Sequence, residues 1–185
     1  MIEFDEETHT YLVDGIIVPS VTQILKVRFG GKYDWVNPKT LQAAAERGTR
    51  IHKAIEDHCL CGYDDGSQEV KNFDFLLKIH KLKVIENEVP VVITKEGFTC
   101  AGRLDLILEK DGLCVADIKT TSSIDKEYLA AQLNLYRIGY EQTYKKPITA
   151  LYGVHLKGDK RKLYPIPINE DLAWEIIKEY ERSKE

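Results

Sequence analysis

The sequence predicts an α/β or α+β protein built on one mixed sheet, and two observations carry that prediction. Element patterns run in the order helices, strands, one long helix, strands, helix, which does not suit the strict alternation of a doubly wound parallel sheet. The 185 residues are 43% hydrophobic and 30% charged, an ordinary globular composition on a length that fits one domain with a real core. No internal repeat, linker or low-complexity segment divides the chain. A single domain is therefore expected over 1–185, with 1–36 as an N-terminal hairpin and helix, 37–168 as the core and 169–185 as a C-terminal helix.

Each element has a local cause. Thr10 to Pro19 reads as a small hairpin that turns at Asp14-Gly15. Ser20 and Gln23 form a capping-box pair that starts a helix. Asn37-Pro38 opens the next one, with Asn37 as cap and Pro38 in the first helical position. That helix runs through the alanine-rich stretch from Leu41 to about His58. Gly48 interrupts it at a cost of ~1 kcal/mol relative to alanine, which points to close approach by another group. From Gln68 to Lys81, Val70, Phe73, Leu76, Leu77 and His80 share a helical face. Strands follow over Glu88 to Thr94, Cys100 to Leu108 and Leu113 to Thr120. Asp125 to Tyr144 is helical, with Leu129, Leu133, Tyr136 and Tyr140 along one side. Strands over Thr149 to Leu156 and Leu163 to Ile168 precede a last helix capped by Asn169.

Bulk properties narrow the function. No apolar run approaches the ~20 residues of a membrane span. The N-terminus, Met1-Ile2-Glu3-Phe4-Asp5-Glu6-Glu7, is acidic and lacks the basic and apolar regions of a signal peptide, so a cytosolic setting is expected. Cys59 and Cys61 are spaced too closely for the usual zinc site, and with Cys100 and Cys114 they read as reduced thiols. The net charge of −4 excludes a uniformly basic nucleic-acid binder but leaves room for a local patch. Two candidates are Arg47-Arg50-Lys53 and Lys157-Lys160-Arg161-Lys162, each of which a plain solvated face would also explain.

The chemistry concentrates in Gly102-Arg103-Leu104-Asp105, a turn, and Ala116-Asp117-Ile118-Lys119. Two residues apart on a strand, Asp117 and Lys119 leave the same face. Whether Asp105 joins them depends on the turn. A two-residue Asp111-Gly112 loop sets Asp105 opposite Ile118 and points the carboxylates apart. A three-residue loop, Lys110-Asp111-Gly112, sets Asp105 opposite Asp117. The odd loop matches Leu104 with Ile118, Leu106 with Ala116 and Leu108 with Cys114 in one apolar face, and burial of such a face normally fixes register. Gly112 then stands where the left-handed residue of a three-residue loop belongs. Aspartates so opposed have Cα atoms about 5 Å apart. They repel unless a cation or proton lies between them, and oxygen donors suit magnesium or manganese. The plain alternative is a structural Asp117–Lys119 salt bridge.

Further short motifs flank the hairpin in order: Pro19-Ser20-Val21-Thr22-x-Ile24-Leu25, Arg47-Gly48-Thr49-x-x-His52, and Gln132-x-x-x-Tyr136. Together with Asp105 and the Asp-x-Lys strand they resemble the PD-(D/E)XK nuclease superfamily over roughly residues 9 to 140, and its RecB-like and phage exonuclease branch in particular. The resemblance implies a restriction-endonuclease-like core, a mixed central sheet flanked by helices. It implies a catalytic set of Asp105, Asp117 and Lys119, with His52, Asp105, Asp117 and the Ile118 carbonyl on the metal. Glu88 sits where relatives often carry an acidic residue, with Glu86 as the competing choice. Gln132 and Tyr136 share a helical face that in the family borders the site, although Tyr136 could equally be core. Arg47, Arg50 and Thr120 join them as substrate-contacting candidates.

The expected cofactor is Mg2+, with Mn2+ able to substitute. The iron–sulfur cluster of several relatives is not expected, because no cysteine lies beyond Cys114. The expected function is a metal-dependent DNA exonuclease of recombination, repair or end processing, in a bacterial or phage-infected host cytoplasm. A recombinase or single-strand annealing protein is a possible partner, and oligomerisation is open. A structure-specific or nicking endonuclease and a non-cleaving DNA-binding accessory module are the alternatives.

Overall fold

The computed structural model describes every residue except Glu6, Glu7, His9 and Tyr33. It begins with three short antiparallel strands, β1 (Ile2–Asp5), β2 (Thr10–Val13) and β3 (Ile16–Val18), of which the first was not foreseen. Asp14 and Gly15 turn β2 into β3 with φ of 51° and 78°, the positive values a two-residue hairpin loop requires. Helix α1 (Val21–Phe29) starts on the expected capping box: Ser20 Oγ accepts from Gln23 N–H while the Gln23 side chain accepts from Ser20 N–H. Helix α2 (Pro38–Cys61) is capped by Asn37 and runs through Gly48 without a break. A Cβ at Gly48 would stand 3.3 Å from Thr120 Oγ1, so the close approach expected there is made by the end of the Asp-x-Lys strand.

Helix α3 (Gln68–His80) buries Val70, Phe73 and Leu76 as its periodicity predicts. A five-stranded mixed sheet follows, built from β4 (Lys83–Lys95), β5 (Phe98–Glu109), β6 (Leu113–Lys119), β7 (Ile148–Lys157) and β8 (Lys160–Ile166) in that spatial order. Helix α4 (Lys126–Tyr144) crosses from β6 to β7, the one parallel pair, and α5 (Glu170–Arg182) ends the chain. Strand β4 starts five residues before the expected Glu88, because its first half is polar and its alternation shows only from Val89 on. Helix α4 is buried nearly all round from Ala131 to Tyr140, not along one stripe. It lies between the sheet and α1 and α5, whose Ile24, Leu25, Ile176 and Ile177 complete that side of the core. The other face is covered by α2 and α3 through Ile51, Ile55, Phe73 and Leu76. Among the described residues no helix is long and apolar enough to cross a membrane.

The β5–β6 hairpin adopts the odd register. Leu106 pairs with Ala116, Leu108 with Cys114 and Glu109 with Leu113, leaving a three-residue loop. The left-handed residue of that loop is Asp111, at φ 54°, and Gly112 follows at φ 142°. A Cβ on Gly112 would come within 2.7 Å of the Thr149 side chain. Gly112→Val is expected to destabilise the protein by about 2 kcal/mol, since a β-branched residue is strained at that φ, and the denaturant midpoint measures it. An unchanged midpoint would show that the loop re-forms in another conformation.

Candidate active site

Both ladders that flank β5 are interrupted at Asp105. On one side Asn87 pairs with Leu106 and Val89 with Leu104, but Glu88 is left out of the ladder, with its backbone at φ 51°. On the other side pairing stops at Leu106–Ala116, one step short of the expected Asp105–Asp117 pair. The Leu104–Ile118 pair is absent too. Leu106, Leu108, Ala116 and Ile118 pack together toward α2 and α3, as the pattern predicts, but Leu104 packs with α4. The alternation of β5 therefore slips at Asp105, and the expected continuous apolar face ends there. A side chain replaces the ladder: Asp105 Oδ2 accepts from the Ile118 N–H at 2.6 Å. That carboxylate takes the role of a backbone carbonyl, and the opening between the strands exposes a polar seam.

Around this seam stand the predicted residues. His52 projects from α2, with Nε2 donating to the Ile118 carbonyl at 3.1 Å and Nδ1 3.5 Å from Asp105 Oδ2. Ile118 is thus held on both sides, by Asp105 at its N–H and by His52 at its C=O. Donor atoms of His52, Glu88 and Asp105 all lie within 4.8 Å of one another. Burial works against the imidazolium, but the Asp105 carboxylate outweighs it and, with Asp117, raises the His52 pKa to about 9. Burial also works against an ionised Asp105, yet His52, Lys119 and the Ile118 N–H hold its carboxyl below the usual range. Glu88 is raised, first by burial and then by the Asp105 charge. Glu86, the competing acid, pairs in the ladder with Ile107 and stands outside the cluster.

Asp117 is not one of the three donors of that cluster. It is 2% exposed, and Lys119 Nζ lies 2.6 Å from its Oδ2 as a buried ion pair. Burial pushes its pKa up to about 6 against the pull of Lys119, and the Asp105 charge adds to the rise. Lys119 Nζ donates to Gln132 Oε1 at 2.8 Å, and Gln132 Nε2 donates to Tyr136 Oη at 3.4 Å. Burial disfavours the Lys119 ammonium, but Asp117 and Asp105 keep it firmly protonated. Tyr136 is 5% exposed in the main core, and its Oη accepts from Gln132 Nε2. The arrangement is a cation fixed between a buried carboxylate and a side-chain amide, beside a three-donor cluster.

Other candidates divide. Arg47 Nη2 donates to Thr120 O at 3.3 Å, so both border the seam. Arg50 instead faces Asp65 at 3.9 Å. A cleft of about 1030 Å³ opens over His52, Glu88 and Asp105. Ser20 and Thr22 of the Pro19–Leu25 motif, with Gln23, line it as well, and so do Phe4 and Tyr11 from the N-terminal strands, which were not foreseen. Arg103 lies over the Phe4 ring and pairs with Glu88 at 2.7 Å. Its place beside Asp105 in the Gly-Arg-Leu-Asp motif was the one available signal. His155 was missed as well; it pairs with Lys119 across the parallel ladder, and its Nε2 donates to Thr121 O at 2.7 Å.

Comparison with known proteins bears on this geometry. The sequence model of the PD-(D/E)XK nuclease superfamily matches residues 67–183, more than half of the 185-residue chain, which takes in Glu88, Asp105, Asp117, Lys119, Gln132 and Tyr136. No curated protein matches the sequence. The crystal structure of SSO0001 is similar in fold, with a TM-score of 0.52 and 19% identity over 90% of this chain and 76% of that one. A crystal structure of a "Putative exonuclease" from Eubacterium rectale is more distant, with a TM-score of 0.39 and 9% identity. This chain spans 51% of that protein's length, a likeness too slight to bear on activity.

Proposed function

Because the chain belongs to the PD-(D/E)XK nuclease superfamily, we propose that it hydrolyses DNA phosphodiester bonds at a centre formed by Asp105, Asp117 and Lys119, working from strand ends as an exonuclease of the RecB-like and phage type. The observation that carries the reading is the buried Asp117 carboxylate, paired with Lys119 at 2.6 Å and still raised in pKa by its burial and by the nearby Asp105 charge. Buried carboxylates placed closely enough to disfavour one another's ionisation are costly in a fold and suit a site that receives a cation.

The donor set fits a hard divalent ion. Asp105 and Glu88 offer carboxylate oxygens, the Ile118 carbonyl and His52 stand beside them, and the Asp117 carboxylate, paired with Lys119, is near enough to affect their ionisation. We assign Mg2+, with Mn2+ able to replace it. Such an ion, when bound, supplies a Lewis acid at phosphorus and a water acidic enough to attack at neutral pH. The chain's own residues do the rest. Lys119, aimed by Asp117 and Gln132, places a fixed positive charge where negative charge develops on the phosphate oxygens. Asp105 keeps the Ile118 peptide, and so the Asp-x-Lys strand, in place through its N–H. Arg47 and Thr120 border the path of the strand being cut. A role in recombination or end processing, alongside a recombinase or single-strand annealing protein in a bacterial or phage-infected cytoplasm, rests on the resemblance alone.

One experiment separates the readings. Purified protein is incubated with linear and with covalently closed circular DNA, in Mg2+ or in chelator. Digestion of linear DNA only, and only with Mg2+, is the expected result. Cutting of circles would make it an endonuclease, and binding without cutting would leave an accessory module.

A further inference from the structure

Two basic clusters that lie far apart in the chain meet in the fold through only some of their members. Arg50 faces Asp65, Lys53 is taken up by Glu56 and Asp57, and Lys162 lies over the Tyr164 ring. Arg161 donates to Asn72 Oδ1 at 3.0 Å and lies over the Phe75 ring. Arg47, Lys157 and Lys160 remain. Among the described residues none of these three takes part in an ion pair.

Their placement follows the segment that leaves Lys119. Arg47 Nη2 donates to Thr120 O at 3.3 Å, His155 Nε2 to Thr121 O at 2.7 Å, and Lys160 Nζ to Ser122 O at 3.4 Å. Three successive carbonyls are thus held by one wall of cationic and imidazole side chains. Arg47 Nε is buried without a hydrogen bond. Lys157 stands close enough to Arg47 and Lys160 that loss of solvent, and then their charges, hold its ammonium below the ordinary range. The turn that presents the two lysines is built to stay put. Gly158 N–H donates to Glu69 Oε1 at 3.0 Å, and the buried Asn72 donates to Gly158 O at 2.7 Å. Glu69 is engaged there, and Asp159 in the turn forms no ion pair with either lysine. A chain of net charge −4 therefore gathers three cations without ion pairs, two on a fixed turn and one on α2, next to its candidate catalytic strand. Such mutual repulsion is relieved by a polyanion lying across all three.

We propose that Lys157 and Lys160, beside Arg47, form a cationic shelf that holds the phosphate backbone of DNA where the strand leaves the Asp117–Lys119 centre. The shelf rests on the nuclease reading above and deepens it, naming a surface that grips the substrate without touching the bond that breaks. Backbone contacts of this kind carry no sequence preference and show themselves in the salt dependence of binding.

The test is a salt titration. Binding of a short fluorescein-labelled DNA duplex by the wild type and by Lys157→Gln/Lys160→Gln is followed by anisotropy, in chelator, across a series of NaCl concentrations. The double variant is expected to lose at least about tenfold in affinity at low salt, and its slope of log affinity against log salt should be shallower by about 1.8, from two lost contacts at about 0.9 each. Lys78→Gln/Lys178→Gln, on the solvent faces of α3 and α5, should leave the slope alone. A thermal scan checks that both variants fold. If the wild type binds and cuts DNA while Lys157→Gln/Lys160→Gln keeps its slope and affinity, the shelf is overturned and the nuclease reading stands. If the wild type neither binds DNA nor cuts it in Mg2+, both fall together.

Discussion

Asp117→Asn is expected to abolish DNA cleavage and, with divalent metal removed, to make the protein more stable at neutral pH. The loss of activity should be at least about 10²–10³-fold, the scale on which one preorganised electrostatic group acts, because the amide can neither carry the charge of a metal ligand nor hold Lys119 as a counter-ion. The gain in stability follows from burial. Asp117 titrates at about 6 in the fold against an ordinary 3.8, mainly through burial and despite Lys119. A carboxyl raised in this way costs nothing below its unfolded pKa, where both states are protonated. As pH rises from about 4 to about 6 the unfolded chain ionises first, and stability falls until the folded group ionises as well. Asparagine escapes that loss. In chelator the variant should gain about 2–3 kcal/mol above pH 6, or several degrees in thermal midpoint, and the gain should shrink toward zero near pH 4. Thermal scans of both proteins across that range are the measurement. Near-normal cleavage would remove Asp117 from the centre, and a variant destabilised equally at pH 4 and pH 8 would show that burial does not set the Asp117 pKa.

Lys119→Ala should cost about 10²-fold or more in cleavage rate at saturating metal, while leaving metal binding in place. The lysine is 2.6 Å from Asp117 Oδ2 and 2.8 Å from Gln132 Oε1, so it is positioned by a carboxylate and an amide that both survive the substitution. Deleting it removes the cation paired with the Asp117 carboxylate, and Mn2+ affinity measured by calorimetry should therefore hold or increase. A fall in Mn2+ affinity matching that of Asp117→Asn would merge the two roles and overturn their separation. Lys119→Arg is not expected to rescue the rate, since a planar guanidinium fork does not fit a point-charge position between two fixed oxygens.

What the sequence determined by itself is local. The capping box at Ser20, the Asn37-Pro38 helix start and the Asp14-Gly15 turn all form as read, because each depends on groups within about four residues. The odd loop at Lys110–Gly112 was legible for a similar reason: hydrophobic pairing of Leu106 with Ala116 and Leu108 with Cys114 decides it. The family was legible through the order of short motifs, and so was the pairing of His52, Asp105, Asp117 and Lys119 in one region.

Tertiary structure decided how those residues meet. Alternation along β5 predicts that Leu104 and Leu106 share a face, and they do not, since the ladder breaks on both sides of Asp105. No rule of strand periodicity contains that break. It is sustained from outside the hairpin, by His52 on α2 at the Ile118 carbonyl and by Glu88 on β4, whose backbone is left-handed and whose carboxylate pairs with Arg103. The joining of Arg47 to Lys157 and Lys160, and the wall made by Phe4 and Tyr11, likewise depend on elements far apart in the chain. Local signals set which segments fold, but the energy that holds two carboxylates near a lysine at a gap in a sheet comes from the packing of α2, α4 and β4 around it, and that is decided only when the whole chain is closed.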